Sequence, residues 1–333
     1  MIFVTGGTGL VGTHLIMLLL EQNLKIKAIY RSEDSLSIFK KMETWYQKPT
    51  GFFDAVEWVK CEFQNEYELN IILKDVETVF HCAAMVSFQP KDKNALEEVN
   101  IFGTQHLIDL ALANGVRGFY HVSSTAAIGK PKDKSQLITE DILWKKTKNI
   151  SNYSISKHFA ELEVWRGFEE GLSGAIINPS IVLGPGNWGK SSTSLFKTVN
   201  DGLKFYTDGM NGFVDVRDVA DSLVLAYQKK INHERILVIG ENKSYKEVFT
   251  LMAKALKKNP PTIKANKILS SIGWRILWVW SLISKKDVAV TQETAHSANS
   301  KNLYNNKKSK SLLGIEYHSV EDAIKHTASC FTV

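Results

Sequence analysis

The chain has 333 residues, 44% hydrophobic and 23% charged, the values of an ordinary globular protein; they exclude a disordered, collagen-like or disulfide-scaffold chain and leave room for one or two closely joined domains. The formal net charge of +6 is unevenly placed, with 18 basic against 8 acidic residues from Gln228 onward and 23 against 27 before it. No aromatic-interleaved basic strand or nucleic-acid motif accompanies that excess, so it reads as a solvated lysine-rich surface, with attraction to an anionic ligand or membrane surface as the alternative, and no nucleic-acid partner is expected.

Short β-branched runs recur at residues 2–5, 26–30, 56–63, 78–83, 118–123 and 175–178, with helical-period segments between most of them. That alternation is the grammar of βαβ units. Near-continuous apolar strands such as Val79-Phe80-His81-Cys82-Ala83-Ala84 imply burial on both faces, hence a parallel sheet with helices on either side. The expected fold is α/β: a doubly wound parallel Rossmann sheet with a smaller, mainly helical C-terminal substrate-binding region. Residues 1–180 form the dinucleotide-binding part. Strand-like runs at 212–216 and 235–239 bracket a helix at 219–227 and are expected to return to the main sheet as segment 212–240. Residues 181–211 and 241–333 are left as the substrate-binding region, with helices at 244–258, 267–284 and 320–328.

Residues 268–284 are only 17 long and carry Arg275 near the middle, short of the roughly 20 mostly apolar residues that a bilayer needs. A helix covering a substrate pocket is the better reading, and no stable membrane insertion is expected. Cys61, Cys82 and Cys330 lie far apart, without a CxxC or a histidine cluster, so neither a disulfide framework nor a metal site is expected. Met1 to Val4 run directly into a glycine turn, and a cytoplasmic location is the expectation.

The glycine turn Thr5-Gly6-Gly7-Thr8-Gly9-Leu10-Val11-Gly12 follows the first strand and opens an apolar helix. Glycines there permit a tight turn and close backbone approach to a pyrophosphate, and the helix N-terminus offers free N–H groups. Gly6, Thr8, Gly9, Leu10, Val11 and Gly12 are therefore the expected phosphate cradle. About 20 residues on, where an acidic residue usually reads the ribose 2′-hydroxyl, stands Arg31, whose guanidinium can bond a 2′-phosphate in a fork; NADP(H) is preferred and NAD(H) remains open, with Glu33 or Asp34 as the rival ribose contacts.

Tyr153 and Lys157 stand four apart at the start of a helical pattern, so phenol and ammonium share one face a turn apart. A positive charge favours phenolate, and Lys157 can thereby tune Tyr153 as a general acid or base. Ser124 ends the strand at 118–123, on the sheet edge where doubly wound folds bind ligands, and can hold a substrate carbonyl.

With these residues in view, the sequence resembles the extended short-chain dehydrogenases/reductases, the NAD-dependent epimerase/dehydratase family, and within it the branch of dihydroflavonol 4-reductases, cinnamoyl-CoA reductases and 3β-hydroxysteroid dehydrogenases. The likeness rests on TGGTGLVG, VFHCAAMVSF from Val79, VNIFGT around Asn100, HVSSTAAIG from His121, YSISK followed by Ala160-Glu161, NPSIVLGPG from Asn178 and FVDVRDVADS from Phe213, and it covers nearly the whole chain. The resemblance implies that Ser124 is the catalytic serine, Tyr153 the proton donor and Lys157 the holder of the nicotinamide ribose. It implies further that Glu62 and Phe63 lie beside the adenine, and Ala83, Ala84 and Met85 along the adenosine ribose. Asn100 would be a conformational anchor near the cofactor, and Pro179 with Ile181 the nicotinamide wall. Glu62 replaces the family's usual Asp, and Cys82 stands where many members have Leu.

The sugar-nucleotide 4,6-dehydratases of the family carry an Asp-Glu pair after the active-site Ser or Thr; this chain has Thr125-Ala126-Ala127 and lacks those carboxylates. The leading expectation is an NADP(H)-dependent carbonyl reductase or alcohol dehydrogenase for a small apolar or aromatic substrate, the latter suggested by Trp274, Trp278 and Trp280. The alternatives are an NAD-dependent sugar-nucleotide epimerase, for which Arg217 and Arg275 could bind an anionic substrate, and a non-catalytic NADPH sensor. By family likeness only, a homodimer is possible.

Overall fold

The computed structural model describes residues 1–131, 133, 135–147, 150–189, 192–265 and 298–331. The expected helix at 267–284, with Trp274, Arg275, Trp278 and Trp280, lies outside the described residues.

Seven parallel strands form the main sheet: β1 (Ile2–Thr5), β2 (Ile26–Tyr30), β3 (Glu57–Lys60), β4 (Thr78–His81), β5 (Gly118–Val122), β6 (Ala175–Pro179) and β10 (Glu234–Val238), in the order β10-β6-β5-β4-β1-β2-β3. The strand order reverses between β1 and β4. Doubly wound sheets bind ligands in the crevice outside the strand C-termini at such a switch point.

Successive strand residues point to opposite faces, so each central strand feeds two cores. Phe3, Val79, Phe119 and Ile176 pack on one face with Leu107, Ile108 and Val164 of helices α5 (Gly103–Ala113) and α6 (Asn152–Glu169). Val4, Phe80, Tyr120 and Ile177 pack on the other with Ile16 of α1 (Leu10–Glu21) and Leu223 of α8 (Val216–Gln228). Both surfaces of the sheet are thereby closed to water, and its carboxyl edge is left as the place for chemistry.

Of the two runs expected to return to the main sheet, only β10 does, pairing with β6. Strand β9 (Met210–Asp215) instead stands between β7 (Ile181–Leu183), in parallel, and β11 (Glu241–Ser244), antiparallel. A further two-stranded sheet joins β8 (Phe205–Tyr206) and β12 (Ile263–Lys264). Hydrophobic patterning passes over β7, β8, β11 and β12 because they are two to four residues long and β11, Glu-Asn-Lys-Ser, has no apolar alternation. Around them Phe196, Phe213, Val248, Met252, Val320 and Ile324 form a separate core with the helices Thr193–Asn200, Tyr245–Ala255 and Val320–Phe331. Among the described residues no helix is long and apolar enough to cross a membrane, and no cluster of His, Cys, Asp or Glu is arranged to hold a metal.

Candidate active site

The glycine turn closes against the end of β4. Gly6 has φ of +65°, and a Cβ there would lie 2.6 Å from Ala83 N; at Gly12 it would lie 2.2 Å from Gly6 O. Neither position admits a side chain, which is what brings helix α1, strand β1 and the Cys82–Ala83 backbone this close. Gly9 caps α1 without a side-chain bond, and the first turn holds no acidic residue, so nothing of the chain's own competes for an anion at that helix end. Thr8, Leu10 and Val11 are half-buried around it. A dinucleotide pyrophosphate fits this cradle.

The neighbouring loop is clamped by one amide. Asn100, buried within a π-helical turn (Glu97–Phe102), accepts from Met85 N at 2.7 Å and donates to Met85 O and to Ser156 Oγ, each at 2.9 Å. Beneath it a chain of bonds runs back to β1. Ala83 N donates to Thr5 Oγ1 at 3.3 Å, and Thr5 Oγ1 lies 2.7 Å from His81 Nδ1. His81 Nε2 lies 3.0 Å from Thr104 Oγ1, which donates to Asn100 O at 2.6 Å. Since the Thr104 proton goes to Asn100, His81 Nε2 must donate and Nδ1 must accept from Thr5; the network assigns the tautomer. Burial, with the Lys157 charge adding to it, lowers the His81 pKa to about 3, so the ring is neutral.

The remaining cofactor positions divide. Ala84 is exposed and Ala83 half-buried along the same loop. Glu62 is exposed, and the Phe63 ring is a core side chain stacked on His81 at 5.4 Å. Arg31 is exposed directly after β2 and makes no ion pair or side-chain bond among the described residues, whereas its rival Glu33 is occupied by Tyr30 Oη at 2.8 Å. Pro179 is buried in β6 and Ile181 half-buried in β7. Ser123 Oγ and Ser180 Oγ, just past the ends of β5 and β6, are buried without a partner among the described residues, which suits a polar ligand at this edge.

Ser151 Oγ accepts from Ser154 N at 3.0 Å and starts α6, which puts Tyr153 and Lys157 in its first two turns. Ser154 Oγ donates to Ala126 O at 2.5 Å and ties the helix to the turn after β5. The Ser124 hydroxyl accepts from Ala126 N at 3.1 Å and lies close enough to the Tyr153 phenol to act on its pKa. Lys157, fully buried, donates to Val122 O at 2.9 Å. Ser124, Tyr153 and Lys157 are thus brought together, with the Phe88 ring edge-on to Tyr153 at 5.5 Å. The expectation that Lys157 draws the phenol downward is not met. Burial pushes Tyr153 up, Ser124 offsets part of that, and the net direction is upward. Lys157 itself is lowered to about 8 by burial, against the raising effect of Glu161 and Cys82.

Residues unassigned by the sequence reading complete the surroundings. Asn178 Nδ2 donates to Ser124 O at 2.9 Å and to Glu161 Oε1. Glu161 pairs with Arg235 of β10 at 3.2 Å. Tyr304, buried, reaches the Thr125 side chain. Asn178 and Glu161 stand within the motifs quoted above, where they could have been noticed; Tyr304 lies in a stretch without pattern. Arg217, considered above for an anionic substrate, is taken by Asp215 in a two-pronged pair at 3.0 and 2.5 Å.

A model of the NAD dependent epimerase/dehydratase family matches residues 2–240. A Synechocystis protein provisionally named dihydroflavonol 4-reductase is 30% identical over 229 residues, 68% of this chain and 63% of the relative, so the match spans under two thirds of that relative's length. The NADPH-dependent methylglyoxal reductase of Saccharomyces cerevisiae is 25% identical over 98% of this chain and 97% of its own. Among solved structures, the UDP-glucuronic acid 4-epimerase of Bacillus cereus, in complex with UDP-glucuronic acid and NAD, superposes with a TM-score of 0.76 over 99% of this chain and 98% of its own, at 18% identity. At that identity the likeness is one of fold.

Proposed function

The chain belongs to the NAD dependent epimerase/dehydratase family, of NAD(P)-dependent oxidoreductases, and from that premise we propose that it is an NADP(H)-dependent carbonyl reductase or alcohol dehydrogenase for the ketone or aldehyde of a small apolar or aromatic substrate. The observation that carries the reading is the convergence of Ser124, at the end of β5, with Tyr153 and buried Lys157, one turn apart on α6 and tied to β5 through Val122 O. When bound, the nicotinamide supplies or accepts the hydride at the substrate's carbonyl carbon. Ser124 orients the carbonyl oxygen. Tyr153, kept protonated by its surroundings, is in the form needed to give that oxygen a proton during reduction. Lys157, one helical turn beyond Tyr153, would hold the nicotinamide ribose. Cofactor choice is carried by Arg31, free at the end of β2 to fork a 2′-phosphate. The ring of Phe88 beside Tyr153 suits an apolar or aromatic substrate.

Mass spectrometry of the nucleotide that co-purifies, together with NADPH oxidation against a panel of aromatic and aliphatic aldehydes and ketones, tests this. NADP(H) and stoichiometric NADPH consumption are expected. Tightly held NAD with interconversion of UDP-sugars in the absence of added cofactor would replace the reading with an epimerase.

A further inference from the structure

Helix α6 carries a second charged side chain one turn beyond Lys157, and nothing in the reaction described above uses it. Glu161 is 1% exposed. One carboxylate oxygen accepts from Asn178 Nδ2, which also donates to the Ser124 carbonyl. The other accepts from Arg235 at 3.2 Å. Arg235 in turn donates to Glu140 O, and the buried Glu140 carboxylate accepts from Leu237 N at 2.9 Å. The assembly leads from strand β10 to the two ends of the catalytic group.

We propose that Glu161, held by Arg235, is a positioning residue that fixes the Ser124 strand end through Asn178 and sets a carboxylate one helical turn from Lys157. The proposal rests on the reductase reading of the same site. A latch between α6 and β10 needs no charges, because well-packed apolar residues usually hold such a contact as well as a buried ion pair does. What an apolar latch cannot supply is a negative charge one turn from Lys157. The other groups facing that ammonium are Tyr153 on its own helix, His81 and Cys82 from the end of β4, and His121 from β5. Burial keeps both histidines neutral and pushes the Cys82 thiol up to about 12, so none of these is negatively charged near neutrality. Glu161 is the carboxylate that opposes the desolvation of Lys157. Arg235 faces Glu161 from β10 and also acts on His158 of α6.

The sign follows directly. Removing the carboxylate removes an interaction favouring the ammonium, so Lys157 loses its proton at lower pH. The test is a titration of Lys157 Nζ by nitrogen-15 NMR, its signal assigned with Lys157→Arg, beside the pH profile of kcat/KM for carbonyl reduction. In Glu161→Gln the Lys157 midpoint and the alkaline limb of the profile should both move down by about one pH unit or more. Glu161→Asp, which keeps the charge, should leave the midpoint near the wild-type value whatever it does to kcat. Glu161→Gln/Arg235→Met removes both charges without stranding either, guards against a failure to fold, and should show a smaller shift in the same direction, since the nearer carboxylate outweighs the arginine. A Lys157 midpoint unchanged in both neutral variants overturns the proposal, even if turnover or melting temperature falls, since a purely structural latch would move only those. Failure of the reductase reading looks different: no carbonyl would be reduced by the wild type, while the NMR midpoint would still shift.

Discussion

Replacing Thr104 by valine removes one hydroxyl from the chain that joins Thr5, His81 and Asn100 while keeping the side-chain volume. Thr104 is 1% exposed, accepts from His81 Nε2 at 3.0 Å and donates to Asn100 O at 2.6 Å. With a methyl in that place, the His81 Nε2–H points at carbon, and a stranded buried donor costs about 1–3 kcal/mol. The lost bond to Asn100 O adds about 0.5–1.5 kcal/mol. His81 cannot escape by ionising, because its pKa of about 3 already records how strongly burial opposes the charge. Switching tautomer would only move the conflict to Thr5, whose oxygen would then receive both Ala83 N–H and the ring N–H and leave its own proton unplaced. We therefore expect Thr104→Val to lose about 2–3 kcal/mol in urea unfolding at unchanged m-value, and Thr104→Ser, which keeps both bonds, to lose about 1 kcal/mol or less. A Thr104→Val protein within about 0.5 kcal/mol of wild type would refute the bond directions assigned here.

Two further outcomes follow from the same geometry. Arg31→Ala should raise the NADPH dissociation constant about tenfold or more and leave that for NADH nearly unchanged, since the proposed partner of the guanidinium is the 2′-phosphate that NADH lacks; isothermal titration with both nucleotides measures it, and equal losses would remove Arg31 from cofactor choice. Acid unfolding should be steep between about pH 6 and 4.5. Burial lowers His14 from its ordinary 6.5 to about 4, His81 to about 3 and His121 well below its usual value, so the unfolded chain takes up protons that the fold excludes, and stability present above pH 6.5 is lost as pH falls. Asp218, raised by burial to about 6, binds its proton in the folded state first and offsets one of the three. The net loss is about 2–3 kcal/mol per pH unit, read from urea midpoints across that range; a flat profile would contradict the burial of these rings.

Much of the fold was legible because βαβ patterning is written in every strand: Phe3-Val4, Val79-Phe80 and Ile176-Ile177 each put adjacent apolar residues on opposite faces of one sheet. The meeting of Ser124, Tyr153 and Lys157 was legible for a similar reason, since helical spacing and a strand end fix where those groups come. The direction of the Tyr153 shift was not, because burial is a property of everything packed around a group and spacing along the helix says nothing of it. Phe63 shows the same limit: the family resemblance implies a place beside the adenine, and nothing local announces that its ring is buried against His81. Arg235 and Tyr304 reach the site from segments 74 and 179 residues beyond Glu161 and Thr125, and no local pattern announces such contacts. The pairing of β9 with β7 and β11 depends on backbone bonds between short, partly polar strands, which hydrophobic periodicity does not encode.

The central claim is that Tyr153 gives a proton to a substrate oxygen, and Tyr153→Phe tests it most directly because the ring, its packing on Phe88 and the nucleotide cradle all remain. Single-turnover reduction of the best panel carbonyl should slow by about 10²–10⁴-fold, with the NADPH dissociation constant within about twofold of wild type. Reduction by the phenylalanine variant at the wild-type rate would contradict the account.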